Sequence, residues 1–384
     1  MTRPAICPIP SATTRTRIRL PLRAAAAVLL LTVTSCVPPQ TRPAAPDGVD
    51  VRVDAAEAEA ALEVIASASG GRAVSEDAWN RLRQTAGYRR LVRREAAMGR
   101  AFTDSAFLAF LRGDSLAAQA PRLAETLARW KTVDAAAAGR LALAYLPHGT
   151  ALRATIYPMV KPRPNSFVSD VGTDSAAIFL YLDPSVTAPR LRNRLAHELH
   201  HVGFAVACLG DDEQAGDGPA ATARTLAGGF GEGIAMLAAA GSPDADPHAA
   251  STEAERERWR RDYARWPADL RRVDDFLSAV ATGRLADADS IRRIAGSFYG
   301  DAQGAWYTVG YAMASRVERE FGRERLVAAL CTPAALMRLY NQAAARAAAR
   351  GETLPTWSPA LLDLLDPNPH AQDHARSVRR GTPA

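Results

Sequence analysis

Two hydrophobic periodicities alternate along the chain. From about residue 52 to 146, apolar positions recur every three or four residues, among them Leu62, Ile65, Leu108, Leu111, Leu123, Leu127, Trp130, Leu141 and Leu143. That is the spacing of helix faces turned towards a core. Ser75, ahead of Glu76, Asp77 and Trp79, marks a helix start. Near Pro147-His148-Gly149 the pattern changes. Leu152 to Val160 and Ala177 to Leu182 are runs rich in β-branched and aromatic residues, bracketed by Gly, Pro, Asn and Asp, and they predict two strands of a small sheet. Helical spacing then returns in four stretches. Val186 to Cys208 reads as one long apolar helix. Pro219 to Ala240 reads as a second, interrupted around Gly228–Gly231. Thr252 to Ala281 reads as a charged, largely solvated helix, and Gly304 to Phe321 as an apolar one, with another beginning at Arg323. The expected class is mainly α with a small β-sheet, α+β.

Charge alters this picture at one end only. The 384 residues carry 47 Lys+Arg against 41 Asp+Glu, a net charge of +6. Residues 1–35 hold Arg3, Arg15, Arg17, Arg19 and Arg23 and no acid. Without them the balance is 42 to 41, or +1, so the basic excess is no argument for a nucleic-acid partner. Those arginines precede an apolar run, Ala24 to Thr34, that is too short to span a bilayer and has the layout of an export signal. Val33-Thr34-Ser35-Cys36 resembles the bacterial lipobox. That resemblance implies lipidation of Cys36, attachment to the membrane through the lipid, and an exported protein on the outer-membrane or periplasmic side if the cell has two membranes. The expected organisation is a signal over 1–35, a Pro-rich tether over 36–51, a helical region over 52–146, a catalytic core over 147–340, and a C-terminal helix and tail over 341–384. Cys208 and Cys331 are left, to pair or to remain as two buried thiols.

The chemistry concentrates in His197-Glu198-Leu199-His200-His201. His197 and His201 are four apart and so share one helix face. Two neutral imidazoles placed there can ligate one zinc ion (Zn2+). Glu198 lies on the same turn, displaced around the helix, where it can take a proton from water without itself being a ligand. His200 reads as a packing or supporting residue. A third ligand is needed. A Gly three residues and a His six residues beyond His201 would be one source, but Phe204 and Ala207 stand there. Glu232 is the one acid between Pro219 and Ala240, and a carboxylate in so apolar a segment requires a cation. The alternatives are Glu232 paired with an arginine, or metal ligation by the loop acids Asp211, Asp212, Glu213 and Asp217.

His197-Glu198-x-x-His201 followed by Glu232-Gly233-x-Ala235 resembles the gluzincin metallopeptidases. Over roughly residues 145–330 the chain looks like an uncharacterised bacterial family assigned as zinc-dependent peptidases. The resemblance implies a zincin-like core with His197, His201 and Glu232 as metal ligands, Glu198 as general base, and hydrolysis of peptide or protein substrates. Two features depart from thermolysin-like enzymes. Met236 stands where an Asp would orient the first His, and Glu232 follows the motif at a longer interval. Trp306-Tyr307-Thr308-Val309-Gly310-Tyr311 resembles a Tyr-x-x-Gly segment of related zinc peptidases. Tyr307 is the first choice for stabilising an oxyanion and Tyr311 the second, with Gly310 permitting close backbone approach. By analogy, the Ala177–Leu182 strand is expected to serve as an edge for bound peptide. Two other functions stay open on the residues alone: a metal- or peptide-binding lipoprotein without turnover, and a zinc hydrolase of non-peptide substrates.

Overall fold

The structure, a computed structural model, describes residues 48–70, 73–208, 217–300 and 303–366. Cys36, its signal and the loop acids Asp211 to Glu213 lie outside the described residues. No helix among the described residues is long and apolar enough to cross a membrane.

The chain starts with strand β1 (Val49–Val53) and runs through six helices, α1 (Ala56–Ser69), α2 (Glu76–Gln84), α3 (Ala86–Ala97), α4 (Asp104–Leu111), α5 (Asp114–Lys131) and α6 (Ala135–Leu143). Ser75 caps α2, its hydroxyl accepting the Ala78 N–H at 3.2 Å, so one of the four orphan donors of the first turn is satisfied. Three strands follow, β2 (Leu152–Met159), β3 (Phe167–Ser169) and β4 (Ala177–Tyr181). The sheet order is β1-β2-β4-β3, parallel except for the β3–β4 pair. The fold is α+β, mostly helical with this small mixed sheet. Both expected strands are present. β1 and β3 were not foreseen: five and three residues are too short for a period-2 signal to stand out. Val49–Val51, expected in the tether, pairs instead with Leu152–Ala154. The expected edge strand is also corrected, because β4 lies between β2 and β3 and its hydrogen-bonding sides are occupied.

The long helix α7 (Ala188–Cys208) packs on α6 and β2 through Leu191, Leu195, Leu199, Val202 and Gly203. One hydrophobic core draws on residues from both sides of residue 147, Ile65, Leu127 and Ala138 with Ile156, Leu199 and Val309. Next come α8 (Pro219–Ala227), a 3-10 turn at Gly228–Phe230 and α9 (Gly231–Ala240), which is the interruption expected there. The helical stretch expected over Thr252–Ala281 consists of two helices, α10 (Glu253–Tyr263) and α11 (Trp266–Ala281). Pro267 lies in the first turn of α11, where its missing N–H costs nothing, whereas inside a continuous helix it would break the ladder. α11 is also not largely solvated: Leu270, Val273, Phe276, Leu277 and Val280 form a buried stripe. The chain ends through α12 (Ala288–Ser297), α13 (Ala305–Phe321), α14 (Arg323–Ala328), α15 (Pro333–Ala348) and α16 (Pro359–Leu364). The buried stripe Leu336, Met337, Tyr340, Ala344 and Ala347 carries α15 across residue 340, so no break falls at that expected boundary. Cys208 and Cys331 form a disulfide that ties the end of α7 to the turn before α15.

Candidate metal centre and its cleft

α7 separates its residues by face. Leu195, Leu199, His200 and Val202 point into the core, while Asn193, Arg194, His197, Glu198 and His201 stay partly exposed. α9 crosses beside it with Glu232 in its first turn, where the helix dipole favours a negative charge. α9 in turn packs on α13. The crossing is made by glycines. A Cβ on Gly233 would lie 2.1 Å from Tyr311 N, and one on Gly310 would lie 2.5 Å from Phe230 O. The two backbones touch there, as Gly310 led one to expect, and that contact puts Glu232 and Tyr307 at one place.

The result is a triangle of donor atoms. His197 Nε2 lies 3.2 Å from Glu232 Oε2, His201 Nε2 lies 3.3 Å from the same oxygen, and the two Nε2 atoms are 3.1 Å apart. A tetrahedral zinc with bonds of about 2.0–2.1 Å would set its ligand atoms about 3.3 Å apart, so the three groups fit a zinc ion. They are the metal-capable group of His, Cys, Asp and Glu found among the described residues. Burial would raise the Glu232 carboxyl, but hydrogen bonds to His197 and His201 outweigh it and hold the carboxyl well below the usual carboxylate range. Glu232 is therefore ionised, and it pairs with the two imidazoles rather than with an arginine. Asp217 is exposed and outside the group.

His200 is separate. It is fully buried, its Nε2 lies 3.3 Å from the Tyr145 carbonyl, and burial pushes it down to about 3. It is a neutral packing residue. Tyr307 stacks on His197 with ring centroids 6.5 Å apart and planes 14° apart. Its hydroxyl reaches Glu232, and burial followed by the Glu232 charge raises its pKa. Tyr311, the second choice, is elsewhere: its hydroxyl donates to the Ala245 carbonyl at 3.2 Å and its ring meets Trp259 and Tyr263. Four residues on a helix overshoot one turn by about 40°, enough here to send Tyr307 to the metal side and Tyr311 into the core.

The helix that carries Tyr307 and the one that carries the histidines both border a cleft of ≈ 400 Å³. His197, Glu198 and Tyr307 line it together with Arg190, Arg194, Asn193, His248, Ser251, Glu255 and Gln303. Ser166, just before edge strand β3, also borders it. A family model described as "Putative zinc dependent peptidase (DUF5700)" matches residues 79–349. The chain belongs to this family. Within the family match lie all three donor residues, Glu198 and Tyr307, together with the whole cleft lining. Neither the curated proteins nor the solved structures contain a match to the chain. The arginines and His248 were missed in the sequence. Arg190 and Arg194 stand eight and four residues before Glu198 on its own face, a signal that helical spacing contains. His248 lies in a turn, and only the tertiary fold brings it to the cleft.

Proposed function

We propose that the chain is a zinc-dependent peptidase with His197, His201 and Glu232 as ligands and Glu198 as general base. The observation that carries this reading is the donor triangle beside a cleft that His197 and Glu198 line. The His197, His201 and Glu232 side chains are 19%, 21% and 20% exposed. A structural zinc site closes its fourth position with a protein ligand, whereas a catalytic one leaves it open to water and substrate.

Zinc, when bound, supplies Lewis acidity to the scissile carbonyl and makes water acidic enough to be deprotonated near neutral pH. Glu198 lines the cleft outside the triangle, so its carboxylate is free to take that proton and pass it to the leaving amine. The Tyr307 hydroxyl, kept protonated by burial and by Glu232, donates to the developing oxyanion. Peptide aligns along the cleft, with the edge strand β3 beside Ser166 available for strand addition. The likeness to zincins rests on this arrangement of sheet, motif helix and Glu-bearing helix.

Export and a lipid anchor at Cys36 belong to the same proposal. They are supported by the Val33–Cys36 segment and by the Cys208–Cys331 bond, which suits an oxidising compartment. Labelled fatty acid should enter the native chain and not Cys36→Ala. For the chemistry, Glu198→Gln should bind zinc like the native protein and lose peptide hydrolysis, and a chelator should abolish hydrolysis in the native protein. Full hydrolysis by Glu198→Gln sinks the mechanism.

A further inference from the structure

Among the described residues, one cation of the cleft has no protein partner. Arg190, Arg194 and Glu198 follow one another at four-residue intervals along α7 and line the same cleft. Arg190 is satisfied by a salt bridge to Glu255, and Glu255 also closes the capping box at Thr252. Arg194 makes no hydrogen bond and no ion pair with any described residue. Its charged neighbours Arg190, Asp183, Glu255 and Glu198 act on it only at a distance. Burial, then the nearby Arg190 charge, lowers its pKa, yet a guanidinium stays charged in any protein setting. A half-buried, unpaired cation is costly to keep. Here it faces a cleft whose other lining groups include the neutral Asn193, Ser251 and Gln303.

We infer that Arg194 receives a carboxylate of the substrate, on the leaving-amine side of the scissile bond. This rests on the peptidase reading above. Four residues of helix advance about 6 Å, so Arg194 lies one turn beyond Glu198 and away from His201. Glu198 delivers its proton to the leaving amine, which places the amine-bearing half of the peptide on the side of Arg194. One or two extended residues cover about 3.5–7 Å. The carboxylate therefore belongs to the first or second residue after the cleaved bond. A guanidinium fork fits a carboxylate with two parallel hydrogen bonds, and the carboxylates a peptide offers are its C-terminus and the side chains of Asp and Glu. A cleft of ≈ 400 Å³ is at the small end of ligand pockets, as suits so short a segment.

The test measures binding to zinc-loaded Glu198→Gln, which holds peptide without cleaving it. Four N-acetylated tetra-alanine peptides are titrated calorimetrically: the free acid, the amide, and the amide with one central Ala replaced by Glu or by Gln. One charged peptide should bind 10- to 100-fold tighter than its neutral counterpart. Adding Arg194→Gln should erase that ratio, and Arg194→Lys should restore part of it. Preference for the free acid identifies the C-terminus as the source, and preference for Glu over Gln identifies a side chain. Equal affinity for charged and neutral peptides, no binding of any of the four, or a preference that survives Arg194→Gln overturns the inference. The peptidase reading fails separately, if the native zinc-loaded protein cleaves none of these peptides while the binding preference is present.

Discussion

Replacing Gly233 by alanine places a Cβ 2.1 Å from Tyr311 N, 2.4 Å from Tyr307 O and 2.5 Å from Gly310 C. Carbon atoms do not pack within 3.0 Å of such neighbours, and all three are backbone atoms, so no side chain can turn aside. α9 and α13 must part by about 1 Å. Overpacking of this kind costs roughly 1–3 kcal/mol, and a backbone-to-backbone clash belongs at the upper end. The helix propensity gained from Gly to Ala returns about 1 kcal/mol, leaving a net loss of about 2 kcal/mol. The displacement also reaches the donor triangle. Glu232 is the adjacent residue, and its edges of 3.2 and 3.3 Å to the histidines would open by several tenths of an ångström or more. Zinc sites tolerate about 0.2 Å, so zinc affinity should fall at least 10- to 100-fold, the loss typical when support for a ligand is disturbed. Gly231→Ala is the matched control. It lies two residues away on the same helix, in helical backbone with nothing within 4 Å of its Cβ, and should stabilise by about 0.4–1 kcal/mol with zinc affinity unchanged. Urea unfolding of the apo proteins and zinc competition against a chromophoric chelator give both quantities. If Gly233→Ala matches the native protein in stability and binds zinc within twofold of it, the glycine crossing does not position Glu232 and the reasoning is wrong.

Three further outcomes follow from the same geometry. Tyr307→Phe should lower kcat about 100-fold or more, the usual cost of losing an oxyanion donor, while KM stays nearly constant; an unchanged kcat removes the tyrosine from the mechanism. Cys331→Ser opens a disulfide with a sequence separation of 123 and should cost about 2–5 kcal/mol in urea unfolding, and a loss below 1 kcal/mol would contradict this. Glu57 is wholly buried, and burial raises its carboxyl to about 8 despite the Val160 N–H and the Lys161 charge. The folded state then binds more protons than the unfolded state between pH 4.5 and 8. Its contribution is fully present below about pH 4.5 and is lost as pH rises to 8, by on the order of 5 kcal/mol at about 1.36 per unit. Glu57→Gln should flatten that slope relative to the native protein, and parallel pH–stability curves would refute it.

How far the site was legible depends on range. His197, Glu198 and His201 could be placed on one face because a four-residue helical interval is a local fact. Glu232 could be singled out because its neighbours are apolar over some twenty residues, and a charge there requires a partner wherever the helix ends up. The same local reasoning failed for Thr252–Ala281, where a run of charges outweighed the apolar stripe of α11 and the stop signal of Pro267. It also failed for β1, whose five residues become a strand only by pairing with β2 across a hundred residues of chain.

The sequence by itself determined the chemical inventory: two imidazoles at one-turn spacing, a carboxylate beside them, an isolated acid downstream, and a glycine on each of two later helices. Tertiary structure alone decided which of these meet. It closed the triangle to 3.1–3.3 Å, sent Tyr307 rather than Tyr311 to the side of the triangle, put β4 inside the sheet, and left Arg194 facing the cleft without a partner among the described residues. The physical reason is that helix spacing fixes directions within one element, whereas distances between elements are set by backbone contact and core packing, as where Gly233 meets Gly310.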